Sequence, residues 1–111
     1  MTKPVNKYRN KPVWHDGIRF ASGAEGDRYL ELKLLLRAGK IRELIVHPRY
    51  KLHALGGRAV GTYVADFEYK TDVGKMVEDV KGMLTPEYKW KKRHMRAEYG
   101  IEIREIKRGK K

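Results

Sequence analysis

Apolar residues recur along this chain with two different periods. After Ser22 the spacing is helical, with Tyr29, Leu32 and Leu36 following Glu25 along one stripe. Ser22 and Glu25 stand three apart, the pattern of a capping box, and Arg37-Ala38-Gly39-Lys40 supplies a glycine stop. Beyond it the period shortens. Ile41 to Leu55 reads as a long bent strand with Leu44, Val46, Tyr50 and Leu52 on one face, and Pro48, which has no N–H to donate, marks an edge or bulge within it. Arg58 to Lys70 and Lys75 to Gly82 are rich in β-branched and aromatic residues, lack proline and read as two further strands. Gly56-Gly57 and Thr71-Asp72-Val73-Gly74 are the turns between them.

Thr85-Pro86-Glu87 then provides an N-cap, a proline at the first helical position and a first-turn acid. The helix that follows reaches Tyr99, is stopped by Gly100 and has Tyr88, Met95 and Tyr99 to anchor a packed face. Ile101 to Ile106 alternates as a last strand, and Val13 to Phe20 forms a short hairpin around Asp16-Gly17. The predicted order is therefore helix, three strands, helix, strand, a compact α/β (α+β) domain of type αβββαβ in which the first three strands form an antiparallel meander flanked by helices. At 111 residues the chain makes one domain, with a basic arm over residues 1–14 and a basic tail over 107–111.

Charge narrows the partners. A formal net charge of +12 favours a polyanion, DNA or RNA before an anionic membrane. No apolar run approaches the roughly 18 residues of a membrane helix and the basic N-terminal segment lacks the apolar core of a secretory signal, so the expectation is a soluble, cytoplasmic protein. There is no cysteine, hence no thiolate metal site or thiol nucleophile, and His15, His47, His53 and His94 form no H-E-x-x-H pattern. Any metal would rest chiefly on oxygen.

Two strand segments carry the candidate chemistry. If Lys70 and Lys75 flank the turn, antiparallel pairing sets Asp66 opposite Asp79, where two carboxylates repel unless a hard cation such as Mg2+ lies between them. Alternation puts Lys81 on the Asp79 face, available to offset charge on a phosphate, and turns Glu78 to the other face. A two-residue turn between Leu55 and Arg58 would likewise bring His47 opposite Asp66. Glu25 has two readings, a helix cap or a carboxylate on the buried stripe facing the metal. The basic run on the second helix, Lys89, Lys91, Lys92 and Arg93, and the arm residues Arg9 and Lys11 are candidate phosphate contacts, while Trp90 either packs or stacks on a base.

Asp66 followed thirteen residues later by Asp79-Val80-Lys81 resembles the bipartite motif of the PD-(D/E)xK nuclease superfamily, with Ala65 where the motif has proline. More closely, Lys7 to Lys11, Asp16 to Ser22, Glu25, His47 to Tyr50, Ala65 to Phe67, Glu78 to Gly82 and Thr85 to Lys91 resemble, in order, a family of small uncharacterised phage and prophage proteins within that superfamily. The resemblance implies a restriction-endonuclease-like core, Mg2+ or Mn2+ as cofactor, Asp66 and Asp79 as ligands completed by Glu25, Lys81 as catalytic lysine, and Lys91 aimed at the scissile region. His47 occupies a slot that is commonly glutamine in the family. The implied activity is DNA endonuclease, structure-selective on branched DNA such as Holliday junctions, in the cytoplasm of a bacterial host, with a homodimer for paired cuts. The competing class is a non-catalytic basic nucleic-acid-binding protein in which the D-x-K segment is only a charged hairpin.

Overall fold

Asp16 and Gly17 both adopt left-handed backbone, φ 54° and 77°, the geometry of a tight turn whose twist matches paired strands. They join Val13–His15 (β1) to Ile18–Phe20 (β2) in the computed structural model, which describes residues 11–81 and 84–107. The Ser22 hydroxyl caps helix α1 (Gly23–Arg37) by accepting from the Glu25 N–H at 3.2 Å, as its spacing requires. Next come β3 (Arg42–Val46), β4 (Arg49–His53), β5 (Ala59–Val64), β6 (Phe67–Thr71), β7 (Gly74–Val80), α2 (Pro86–Tyr99) and β8 (Arg104–Ile106). Thr85 caps α2, and Gly100 ends it in left-handed backbone at φ 69°. The result is an α+β fold around a four-stranded sheet of order β3-β6-β7-β8, in which β3, β6 and β7 form an antiparallel meander and β8 joins parallel to β7. No helix among the described residues is long and apolar enough to cross a membrane.

The two long strands expected at Ile41–Leu55 and Arg58–Lys70 are each broken. One divides at His47-Pro48 into β3 and β4, the other at Ala65-Asp66 into β5 and β6, and β4 and β5 form a separate two-stranded sheet. The breaks face each other across one bent ribbon. Pro48 has no N–H for a ladder, and His47 sits at φ 56°, a conformation costing an L-residue about 1–2 kcal/mol. The halves stay joined because the His47 N–H donates to Asp66 O at 2.9 Å and the Ala65 N–H to Pro48 O at 3.1 Å.

Bending corrects a second expectation, that Leu44, Val46, Tyr50 and Leu52 share one face. Leu44 and Val46 pack with Phe20, Tyr29, Leu32, Phe67 and Tyr69, whereas Tyr50 and Leu52 pack with Tyr63, Ala65, Val77, Tyr88 and Met95. The first cluster lies under α1 and the second under α2, so one ribbon serves both layers. The last strand is also shorter than its alternation suggests: of Ile101–Ile106 only Arg104–Ile106 pairs, and Ile103 is buried ahead of it.

The layers are tied to β7 through adjacent residues. Glu78 is 0% exposed and faces α1, where Arg28 grips both its oxygens, Nε at 2.8 Å and Nη2 at 2.7 Å, while the Tyr69 hydroxyl donates to it. Asp79 is turned the other way, at 4% exposure, into contact with Tyr63. A buried carboxylate is tolerated only when paired and hydrogen-bonded. Removing the guanidinium by Arg28→Ala should therefore cost about 3–5 kcal/mol in urea unfolding. Arg28→Met combined with Glu78→Leu and Tyr69→Phe, which removes the partners together, should recover much of that loss.

Candidate metal centre

Glu25, His47 and Asp66 come together where the ribbon breaks. One ligand atom from each lies within 4.8 Å of the others. Glu25 reaches the site from the first turn of α1, His47 from the left-handed kink between β3 and β4, and Asp66 from the matching break before β6. Glu25 joins the cluster and also reaches back along the chain, its Oε1 accepting from the Ala21 N–H at 3.2 Å, one residue before the Ser22 cap.

Asp66 lies opposite Asp79 in the register expected of it. Lys70 pairs with Lys75 and Phe67 with Glu78, and the Asp66 N–H continues the ladder to Glu78 O at 3.1 Å. The hairpin is tighter than a four-residue loop, because Thr71 already pairs with Gly74. His47 faces Asp66 by a less direct route. The turn spans Leu55-Gly56-Gly57, one residue longer than expected, with the Ala54 N–H bonded to Arg58 O at 2.8 Å. An irregularity between Leu52 and His53 takes up the extra residue, so Leu52 pairs with Gly61 and Arg49 with Val64.

Electrostatically the site is a cluster of carboxyls with too little positive charge. Burial and then the neighbouring Asp79 push the Asp66 carboxyl up to about 8, against the Val80 N–H that donates to its Oδ2 at 2.7 Å. Burial also raises Glu25, opposed by its bond from Ala21 and by His47. Asp79 accepts a hydrogen bond from Tyr63, whose hydroxyl is held protonated by burial and by that carboxylate. Lys81 lies on the Asp79 side as alternation requires, with Nζ 3.5 Å from Asp79 Oδ2 and 3.9 Å from the Tyr88 ring centroid. Carboxylates that repel one another beside an imidazole nitrogen match the donor preferences of Mn2+ and, through their oxygens, of Mg2+.

The proposed phosphate contacts are dispersed. Lys91 is engaged by Glu87 at 2.9 Å and Lys92 by Glu105 at 2.8 Å, whereas Lys89, Arg93 and Lys11 are exposed. Arg9 lies outside the described residues. Trp90 lies over the β5 backbone, where a Cβ on Gly61 would be 3.9 Å from its ring, while 38% of it stays exposed.

A family model described as "Protein of unknown function (DUF1064)" matches residues 5–110. The chain belongs to the DUF1064 family. No curated protein and no solved structure matches it. In this DUF1064 protein the cluster draws on partners that sequence spacing did not reveal: Tyr63 on Asp79, the Tyr88 ring beneath Lys81, and Arg28, which fixes the residue next to Asp79.

A carboxyl raised by folding keeps its proton in the native state after the unfolded chain has lost it. Without divalent cations, stability should therefore fall as pH rises from about 4 to about 8, levelling beyond. Asp66→Asn should flatten that slope. In chelator at pH 8.5 it should unfold later than the parent by at least about 1.4 kcal/mol, the equivalent of one pKa unit, as measured by urea melts across the range.

Proposed function

We propose that this DUF1064 protein is a metal-dependent nuclease of the PD-(D/E)xK type that hydrolyses phosphodiester bonds in DNA. The observation that carries the reading is the convergence of Glu25, His47 and Asp66 on one point, with Asp79 and Lys81 alongside. With His47 beside them, these are the residues of the D…D-x-K motif and its helix acid, drawn from α1, the break before β6 and the end of β7.

Glu25, Asp66 and Asp79 would hold an Mg2+ or Mn2+ ion, with His47 as a further donor. When bound, such an ion polarises a phosphodiester and favours formation of the nucleophile at neutral pH. The remaining work falls to the chain. Asp66 and Asp79 must both be ionised to act as ligands, and the cation's charge replaces the mutual repulsion that otherwise keeps a proton on Asp66. Lys81, steadied between Asp79 and the face of Tyr88, offers an ammonium to charge developing on the phosphate. Tyr63 fixes one Asp79 oxygen so that the other can turn to the site.

The net charge of +12 supports a nucleic-acid substrate and fast, salt-sensitive encounter. A small basic domain with no recognisable base-reading module among its described residues fits structure-selective cutting, and branched DNA is the substrate class proposed, with a dimer wherever paired cuts are made.

Linear, nicked, flap and four-way junction DNA should be incubated with protein in Mg2+, Mn2+ or chelator. Cleavage should require the metal and be strongest on a branched substrate. Asp79→Ala should abolish it while leaving DNA affinity within about twofold, and Lys81→Ala should slow it by about 10²–10³-fold. His47→Gln, which keeps a neutral polar donor and acceptor, should retain activity. DNA binding with no metal-dependent cleavage of any substrate would favour the non-catalytic reading instead.

A further inference from the structure

We propose that the outward face of the β1–β2 hairpin, Trp14 with Arg19, is a stacking platform for unpaired nucleotides beside the candidate metal centre. The proposal rests on the nucleic-acid part of the function above and is independent of cleavage.

Alternation sorts the hairpin's residues. Val13, Ile18 and Phe20 turn inward to the cluster under α1, while Trp14 and Arg19, directly opposite each other in the register, turn outward. Trp14 is 59% exposed, and Arg19 Cζ lies 6.0 Å from its ring centroid. Among the described residues the Arg19 side chain has no ion pair or hydrogen bond. Its exposed guanidinium stands over the indole, open to a ligand.

The hairpin is fixed to the elements that carry the site. Gly26, next to Glu25, has no room for a Cβ, which would lie 2.6 Å from Val13 Cγ2 and 3.0 Å from the His15 ring. The Tyr29 hydroxyl donates to Asp16 at the hairpin turn at 2.6 Å, and the Phe20 ring lies 5.7 Å from that of His47. A nucleotide on Trp14 would thus be held at a constant displacement from Glu25 and His47.

The chemistry selects the ligand. A flat indole presents its face to the face of a base, and a base face is free only where the strand is unpaired, since in a duplex both faces are covered by neighbours. The adjacent guanidinium suits the phosphate of the same nucleotide. In a chain of net charge +12 the partner is a nucleic acid with single-stranded character, such as the opened strands at a branch. The platform supplies the preference for branched substrates from this protein's own surface.

Trp90→Phe leaves Trp14 as the one tryptophan. That variant, kept in chelator so that nothing is cut, is titrated with oligothymidylate, with a blunt duplex of equal length and with anionic phospholipid vesicles. Anisotropy of labelled DNA gives affinity in parallel. Trp14 fluorescence should be quenched on saturation by the single strand and little by the duplex. Trp14→Ala and Arg19→Ala should each weaken single-strand binding by at least about fivefold, with duplex binding changed less than about twofold. The proposal is overturned if the single strand binds without moving Trp14 fluorescence, if both variants weaken both DNAs equally, or if vesicles quench Trp14 and DNA does not. Binding to the platform without metal-dependent cleavage would remove the nuclease reading and leave this one standing.

Discussion

Two adjacent carboxylates on β7 face opposite ways, and the architecture follows from how each is neutralised. Glu78 is met by Arg28 from α1 and by Tyr69, a closed set of partners that fixes the helix to the sheet. Asp79 is met by Tyr63 and Lys81 on the α2 side and by another carboxyl, Asp66, across the ladder. The first arrangement satisfies its charge and the second leaves a surplus. Because the Glu78 clamp holds α1 one turn after Glu25, the same pair of residues sets both the position of the helix acid and the plane of the strand carboxylate.

The ribbon break is the second requirement. A continuous sheet would keep α1 and α2 on separate faces, with Glu25 on one and Asp79 on the other. Where His47-Pro48 faces Ala65-Asp66 the sheet turns, and residues of both layers meet through the gap. Left-handed backbone at His47 has a cost of about 1–2 kcal/mol, and it persists because bonds to Asp66 and Ala65 on either side determine the path. The left-handed residue His47 and the unneutralised charge meet at the same place, where a cation would relieve the second.

Much of this was legible from local rules. The Ser22 and Thr85 caps, the Gly100 stop and the Asp16-Gly17 turn depend on residues a few positions apart, and they form as their chemistry requires. The pairing of Asp66 with Asp79 followed from the turn, and a shorter loop in the same register left it intact. His47 meets its expected partner although its turn is one residue longer than the spacing implies, because an irregularity in the β4–β5 ladder compensates for the longer loop. The sequence did not disclose the division of each long strand or the reversal of packing face that follows. Pro48 announced a disturbance, but its direction depends on the φ of His47. Nor could spacing reveal Arg28 with Glu78, fifty residues apart, or Tyr63 with Asp79, since such pairs exist only once the layers have closed.

The central claim is that Glu25, His47, Asp66 and Asp79 together form a cation site, and calorimetric titration of Mn2+ into chelator-stripped protein tests it most directly. A saturable site is expected in the parent chain, with proton release on binding at pH 7 as Asp66 ionises, and loss of both heat and proton release in Asp66→Asn. Absence of binding in the parent chain, or equal binding in the Asp66→Asn variant, would contradict it.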